Sequence, residues 1–253
     1  MKTISILAAG VLALFSIAIA GDTPANIQAA LDSPDRSDNN RASDADRKPA
    51  KALAFFGVEE GMSVADLAAG GGYFTEILSG AVGPDGEVIA YYPANQNFES
   101  GKDALKAQYA PFGNIEIVSA PRGEPFPIDD SSMDMVLLSQ IIHHLHYTED
   151  SGEEMPASSA AIYAEIMRVL KPGGVFAVIE HTAAPGTTRA ESAGWHRAPE
   201  DIIKADVTSA GFEFDGAADI HVNPNDDLKN NFFESGLRGK TTRMVHRYVK
   251  PWM

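Results

Sequence analysis

The chain has 253 residues, of which 44% are apolar and 8% aromatic, enough to bury a core, so wholesale disorder is excluded. Acidic residues outnumber basic ones 35 to 20, and the net charge of −15 disfavours binding to nucleic acid or to an anionic membrane surface. Cysteine is absent, which excludes disulfides, zinc thiolate sites and cysteine nucleophiles.

The first twenty residues have the pattern of a secretory signal peptide. Lys2 precedes an almost continuous apolar run over residues 4–19, and residues 18–20 give the small-x-small pattern that signal peptidase recognises. An uncleaved membrane anchor is the alternative, although it would need about 20 apolar residues and a charged stop-transfer flank, whereas Gly-Asp-Thr-Pro follows at residues 21–24. We predict that residues 1–20 are removed, that the mature chain begins at Gly21, and that it is periplasmic or secreted without stable membrane insertion.

Residues 21–50 are rich in Asp, Arg, Ser, Asn and Pro and show little periodicity. This composition predicts an extended or partly helical arm ahead of the domain. Two interpretations remain open, a solvated linker and a lid that folds back over a pocket. The side chains that would form the lid are Arg36, Arg41, Asp44, Arg47 and Lys48.

Over residues 51–253, apolar strand patterns alternate with helical patterns, which predicts one α/β domain. The predicted strands cover residues 62–69, 87–92, 115–119, 133–139, 175–182, 212–220 and 242–250. The predicted helices cover residues 73–81, 103–109, 157–170 and 199–210. Continuous apolar strands separated by helices are typical of parallel strands buried on both faces, so we expect a doubly wound, mostly parallel sheet.

The loop after the first strand predicts a ligand site. Asp66 lies in that strand, and Gly70, Gly71 and Gly72 follow it before a helix begins. Glycines let the backbone turn sharply and approach a ligand, and the first turn of the helix offers unpaired N–H groups. The loop lacks the Gly-Lys-Ser/Thr of a P-loop, which disfavours nucleotide hydrolysis. A tight turn without a ligand is the alternative.

Taken together, these motifs resemble the class I S-adenosylmethionine-dependent methyltransferases. The resemblance is carried by Asp66 with its glycine loop, by Phe-Pro-Ile-Asp at residues 126–129 and by Leu-Lys-Pro-Gly-Gly at residues 170–174. The segments 54–58, 70–73, 195–197 and 238–241 more closely resemble an exported group of bacterial predicted methyltransferases. The resemblance implies a Rossmann-like, seven-stranded sheet whose last strand is antiparallel, with S-adenosylmethionine as the cofactor across strands one, two and four.

The resemblance also implies which residues contact the cofactor. They are Asp66, Ala68, Gly70, Gly72, Tyr73 and Tyr92. Asp66 would hold the loop or reach the methionine amino group, and the small residues would lie beneath the methionine and ribose. Tyr73 would close over the cofactor or pack its own helix. The sequence departs from the family pattern after the second strand, where Tyr91 and Tyr92 replace the usual acidic residue that binds the ribose hydroxyls.

Histidines cluster at the ends of the fourth and fifth strands. His143, His144 and His146 follow strand four, His181 ends strand five, and His196 precedes the next helix. Parallel strand ends share one crevice, where a histidine can act as a general base or bind zinc, copper or iron. We predict His144 and His181 as catalytic residues. If the strand continued through His143 and His144, only one of them would face the pocket.

The predicted substrate contacts are His146, Trp195 and His196, although Trp195 could simply anchor its loop. The late histidines His221 and His246 are predicted to be structural. The sequence therefore predicts methyl transfer from S-adenosylmethionine to a small molecule by an exported protein, with no nucleic-acid partner. The alternative is an exported small-molecule- or metal-binding protein, or a metal-dependent enzyme, that reuses the methyltransferase fold.

Overall fold

A computed structural model of the protein describes residues 22–233 and 236–252. The predicted signal peptide and its cleavage site before Gly21 lie outside the described residues. Within these two ranges, no helix combines the length and the apolar character needed to cross a bilayer.

The strands form one central sheet. Its elements are β1 Ser63–Leu67, β2 Glu87–Pro93, β3 Ile115–Ala120, β4 Met133–Ser139, β5 Leu170–Ala183, β6 Ala198–Pro199, β7 Glu213–Ala217 and β8 Arg243–Val249. The strand order is β3-β2-β1-β4-β5-β8-β7, and the two-residue β6 pairs with β5. Strands β1 to β5 are parallel, whereas β8 runs antiparallel to both β5 and β7. The predicted Rossmann-like sheet is confirmed, and β6 is an addition that the sequence did not predict.

Helices cover both faces of the sheet and form the arm. They are α1 Ala25–Asp32, α2 Asp38–Arg41, α3 Asp44–Arg47, α4 Pro49–Phe56, α5 Tyr73–Val82, α6 Gln96–Tyr109, α7 Ala157–Val169, α8 Arg189–Gly194 and α9 Glu200–Ser209, with a short 3-10 helix at Ile142–His144. The arm therefore contains three short helices, α1 to α3, joined by turns, and α1 packs on α5. Helix α6 begins earlier than predicted because the Asn95 side chain caps it by accepting a hydrogen bond from the Phe98 amide.

The strand pattern divides the apolar side chains between two cores. Val64 of β1 and Leu137 of β4 face the core formed with α1, α4 and α5. Leu67 of β1 and Val136 of β4 face the opposite core, which α7 and α9 cover. Successive side chains of a strand point to opposite faces, so a strand that is apolar at every position must be covered on both sides. This arrangement buries the centre of the sheet and leaves its strand ends available for a site.

The start of β5 differs from the prediction. Residues 171–174 were expected to form a turn between a helix and a strand at 175–182, but β5 already begins at Leu170. The Gly173 amide donates to the Lys250 carbonyl, and the Lys250 amide donates to the Gly174 carbonyl. These long-range backbone hydrogen bonds hold the segment extended, and the pairing of β4 with β5 is irregular there.

Gly72 at the start of α5 offers a test of the packing. Its φ is +77°, and a Cβ atom added there would overlap the Tyr109 hydroxyl group. We expect Gly72→Ala to lower the free energy of unfolding by roughly 2–4 kcal/mol, from left-handed strain together with overpacking. Urea denaturation measures the loss, with Gly113→Ala as the control because a Cβ there meets nothing within 4 Å. Equal losses in the two variants would contradict the packing described here.

Candidate active site

A cavity of about 670 Å³ lies beyond the carboxyl ends of β1, β4 and β5. Its floor is the glycine loop that follows β1, one wall is formed by the arm, and the other wall is formed by residues that follow β4 and β5. Strand β1 pairs with β2 on one side and with β4 on the other, so the chain changes direction across the sheet at this point. Ligands of open α/β sheets bind at such switch points.

The glycine loop is held in a strained form next to this cavity. Ala68 and Gly70 line the cavity and have φ values of +57° and +58°. An alanine in the left-handed region costs roughly 1–2 kcal/mol, which the surrounding structure must supply. Asp66 accepts a 2.7 Å hydrogen bond from the Thr75 hydroxyl, which ties β1 to α5. Burial raises the pKa of Asp66 to about 6.

Two of the predicted cofactor contacts do not lie at the cavity. The Tyr92 hydroxyl is 2.7 Å from the Tyr109 hydroxyl, and its ring stacks on Phe98 beneath α6. The alternation of β2 turns Tyr92 to the face that α6 covers, which places its ring away from the cavity. Gly72 is also absent from the cavity wall, and the space that its Cβ would fill is occupied by the Tyr109 ring.

The arm closes over the cavity, which favours the lid over the solvated linker. The Arg36 guanidinium donates two hydrogen bonds to the Asp44 carboxylate, at 2.8 and 2.7 Å. Tyr73 from α5 donates a 2.8 Å hydrogen bond to the same carboxylate. Tyr73 lines the cavity and therefore joins the arm to its floor. Of the other predicted lid residues, Arg41 and Lys48 bond to backbone carbonyls away from the cavity.

Arg47 is the arm's cation at the cavity wall. Its guanidinium lies 4.4 Å from the centre of the Tyr73 ring, and no carboxylate among the described residues pairs with it. Burial lowers the pKa of Arg47, and the nearby Asp66 partly opposes this change. A guanidinium without a paired carboxylate is suited to bind an anionic group of a ligand.

Four imidazole rings line the opposite wall. They belong to His143, His144, His181 and His196. The His143 ring centre lies 4.2 Å from that of His144 and 5.5 Å from that of His196. The expectation that only one of His143 and His144 could face the pocket is wrong. It assumed a continuing strand, whereas the chain turns into the 3-10 helix after β4.

A buried carboxylate orients this cluster. Glu180 is fully buried in β5, and its carboxylate accepts a 2.9 Å hydrogen bond from His143 Nδ1 and further bonds from the backbone amides of His143 and His181. Burial alone would raise the pKa of Glu180, but the neighbouring His143 and His181 hold it below its usual value. With Nδ1 bonded to Glu180, Nε2 of His143 is the nitrogen that can accept a proton.

His143 and Glu180 were not predicted as a functional pair. A glutamate inside the apolar run of β5 was the signal that could have revealed it, because a buried carboxylate needs a partner. Glu180 stands directly before His181 in the sequence, and the prediction assigned a role to the histidine alone.

The two predicted catalytic histidines differ in their surroundings. His144 lines the cavity, and partial burial together with His143 and His196 lowers its pKa. His181 has both ring nitrogens engaged, Nδ1 with Thr241 at 2.7 Å and Nε2 with Gln140 at 3.0 Å. Burial lowers the pKa of His181 to about 3. His181 therefore has no ring nitrogen free to act as a base in this arrangement.

Among the predicted substrate contacts, only His196 reaches the cavity wall. His146 is buried between Ser192, 2.8 Å from its Nε2, and the Arg189 guanidinium, and burial lowers its pKa to about 4. Trp195 ends α8, where its carbonyl accepts a hydrogen bond from the Phe232 amide. Both therefore stabilise loops. No group of three or more metal-ligating side chains is arranged to hold a metal ion within residues 22–233 and 236–252.

The fold and this cavity define an α/β protein that binds a ligand over a glycine loop at the ends of its parallel strands. A family model described as a methyltransferase domain matches residues 65–178. The chain therefore contains a match to a methyltransferase domain from β1 to β5, and this match, the relatives and the solved structures support an S-adenosylmethionine-dependent methyltransferase. The resemblance seen in the sequence is confirmed at this level.

Known relatives agree with this placement. The ubiquinone/menaquinone biosynthesis C-methyltransferase UbiE of Pseudomonas savastanoi pv. phaseolicola is 27% identical over 210 residues, which cover 79% of this chain and 77% of the relative. The enzyme of the same name from Pseudomonas fluorescens is 32% identical over 129 residues, but the match covers only 51% of this chain and 45% of that relative. A crystal structure of a methyltransferase from Aquifex aeolicus has a TM-score of 0.58 at 20% identity, with 88% of this chain and 96% of that one covered.

The residues at the cavity fit the methionine part of S-adenosylmethionine. All four residues line the cavity: the Arg47 guanidinium would pair with the methionine carboxylate, Asp66 would hold the loop or reach the amino group, and the backbone at Ala68 and Gly70 would lie beneath the ligand. The ribose end lacks the usual carboxylate, because Tyr92 occupies that position and is packed under α6.

Gly71 allows the predicted binding site to be tested without strain. It lines the cavity, its φ is not left-handed, and a Cβ there meets nothing within 4 Å. We expect Gly71→Val to weaken S-adenosylhomocysteine binding by about tenfold or more, because the branched side chain occupies ligand space. Calorimetric titration measures the affinity, with Gly113→Val as the matched control. An unchanged affinity in folded Gly71→Val would place the ligand elsewhere.

Proposed function

We propose that this protein transfers a methyl group from S-adenosylmethionine to a small-molecule acceptor outside the cytoplasm. The observation that carries the proposal is the continuity of one cavity of about 670 Å³, from the glycine loop and Arg47 to the His143–Glu180 pair. Such a cavity can hold the cofactor at one end and an acceptor at the other, with a base beside the acceptor.

The bound cofactor would supply an electrophilic methyl group. The protein's part is to position that group and the acceptor for in-line approach, which lowers the entropic barrier. Asp66 and the loop residues Ala68 and Gly70 would hold the methionine end, and Arg47 would pair with its carboxylate. Tyr73, which bonds to the arm through Asp44, would close this end against water.

His143 is the proposed general base. As the acceptor atom is methylated, its proton would pass to His143 Nε2, while Glu180 keeps Nδ1 as the donor and stabilises the imidazolium that forms. His144 and His196 would contact the acceptor from the same wall. His181 would be a positioning residue: its hydrogen bonds with Thr241 and Gln140 hold the segments that carry those two residues at the end of β5.

The acceptor end favours a flat ring. His181 stacks on Phe232 with ring centres 4.4 Å apart, and Phe233 meets His196 edge-on at 5.0 Å. The lowered pKa values of His144 and His196 keep these imidazoles neutral near neutral pH. A wall of neutral aromatic rings binds an uncharged ring through stacking. The two UbiE relatives named above are C-methyltransferases of ubiquinone/menaquinone biosynthesis, and a hydroxylated ring could accept the methyl group at carbon or oxygen.

Removal of the proposed base tests the mechanism. We expect His143→Gln to lower turnover by roughly 100-fold or more, while S-adenosylhomocysteine affinity stays nearly unchanged, because the lost interaction acts in the transition state. The assay follows labelled methyl transfer from S-adenosylmethionine to a panel of hydroxylated arenes.

His246→Gln is the matched control for this experiment. His246 is also a buried histidine bonded to a glutamate, Glu200 at 2.8 Å, but it lies away from the cavity. It should retain turnover whatever its effect on stability. Equal turnover in His143→Gln and the wild type would remove His143 from the mechanism, and His144→Gln would then test the next candidate.

The exported location has a separate test. We expect the mature protein, isolated from the periplasm or the medium of the native bacterium, to begin at Gly21, because residues 18–20 form the small-x-small cleavage pattern. N-terminal sequencing together with fractionation measures this. Full-length protein that keeps Met1 in the cytoplasmic fraction would contradict the location but leave the proposed chemistry intact.

A further inference from the structure

Arg243 differs from the most deeply buried arginines of this protein. Three of those arginines each form a bidentate pair with an aspartate. The pairs are Arg36–Asp44, Arg189–Asp206 and Arg197–Asp226. Arg243, only 5% exposed, donates instead to the Gly239 and Asp46 carbonyls and to the Thr241 hydroxyl. Among the described residues no carboxylate forms an ion pair with it, and a buried cation without one is costly.

Other cations surround Arg243. Burial, and next the neighbouring Arg47, lower the pKa of Arg243 to about 10, although Asp46 partly opposes this. Burial, then Arg243 and Lys48, lower the pKa of His221 to about 3. Positive charge is thus concentrated at the junction of the arm and β8, in a chain whose net charge is −15.

A second cavity of about 230 Å³ opens at this junction. It is separate from the first cavity and is lined by the arm on one side and by residues 221–223 and 239–241 on the other. Lys48, His221 and Lys240 line it, and Asp46 is the one acidic side chain that lines it among the described residues. His221 is 4% exposed, and its Nε2 has no hydrogen-bond partner within the described part of the chain.

We propose that this second cavity binds a small oxyanion, of the sulfate or phosphate type, between Lys48, His221 and Lys240. Arg243 lies behind the cavity wall without a paired carboxylate, and the anion would supply a compensating negative charge. It would accept a hydrogen bond from His221 Nε2 and charge-assisted bonds from the two lysines. Asp46 also lines the cavity, and its negative charge opposes an anion, so the two lysines and Arg243 must outweigh it. The cavity volume of about 230 Å³ limits the ligand to a small one.

The position of this site connects it to the arm. Lys48 has a left-handed φ of +43° and joins α3, which carries Arg47, to α4. Its Nζ already donates a 2.8 Å hydrogen bond to the Ile220 carbonyl. An anion shared by Lys48 and Lys240 would clamp the arm to the segment before β8. It would thereby hold Arg47 at the wall of the first cavity. This inference does not depend on the proposed methyl transfer.

Sodium sulfate is the probe, titrated calorimetrically into the mature protein at constant ionic strength set with sodium chloride. We expect saturable sulfate binding, with and without S-adenosylhomocysteine. Lys240→Gln should weaken it by about tenfold, the effect of one lost charge-assisted contact. Lys240 is exposed, so this variant should fold, and Lys106→Gln, an exposed lysine of α6, should bind sulfate as the wild type does.

His221→Gln is a second variant and should also weaken sulfate binding. Bound sulfate should in addition slow amide hydrogen exchange over residues 44–48. The proposal would be overturned by the absence of saturable binding or by equal affinities in Lys240→Gln and Lys106→Gln. Competition between sulfate and S-adenosylhomocysteine would also overturn it, because the anion would then lie on Arg47 in the first cavity.

Discussion

The candidate site depends on the carboxylate of Glu180, buried at the end of β5. Burial of a lone carboxylate in this position would reduce the stability of the fold by several kcal/mol. Hydrogen bonds from His143 Nδ1 and from two backbone amides compensate for this loss. One of these amides belongs to the 3-10 helix after β4. The carboxylate therefore joins the ends of two neighbouring strands and fixes the imidazole cluster on one wall of the cavity. Loss of this pair would disturb the fold and the proposed chemistry together.

The opposite wall is fixed by contacts that are distant in sequence. Asp44 of the arm accepts from Arg36 eight residues before it and from Tyr73 twenty-nine residues after it. The composition of residues 21–50 could therefore not decide between linker and lid, because the deciding partner belongs to α5. The apolar strands were predictable, since a strand buried on both faces is apolar at every position. The start of β5 could not be predicted, because backbone hydrogen bonds with Lys250, which is distant in sequence, lengthen the strand at its beginning.

The same distinction applies to individual site residues. The glycine loop is local in sequence, so its place at the cavity could be predicted from its pattern alone. Which of His143 and His144 faces the cavity depends on where β4 ends, and the 3-10 helix that follows brings both rings to the wall. His181 was predicted correctly as a residue of the cavity wall. Thr241 and Gln140, which lie on separate segments, occupy both of its ring nitrogens, so neither nitrogen is available to accept a proton.

Packing around α6 explains why the ribose end departs from the family pattern. Tyr92, Phe98 and Tyr109 form a small buried cluster, and Gly72 lets Tyr109 approach it. An acidic residue at position 92 would be buried against these rings, and burial would disfavour its ionised form. Tyr92 and Tyr109 thus stabilise the fold at the place where the methyltransferases that the sequence resembles have a ligand contact. Cofactor binding in the proposed function must then rely on the methionine end, where the arm contributes Arg47. The closed arm therefore supplies a ligand contact, Arg47, that compensates for the missing acidic residue at the end of β2.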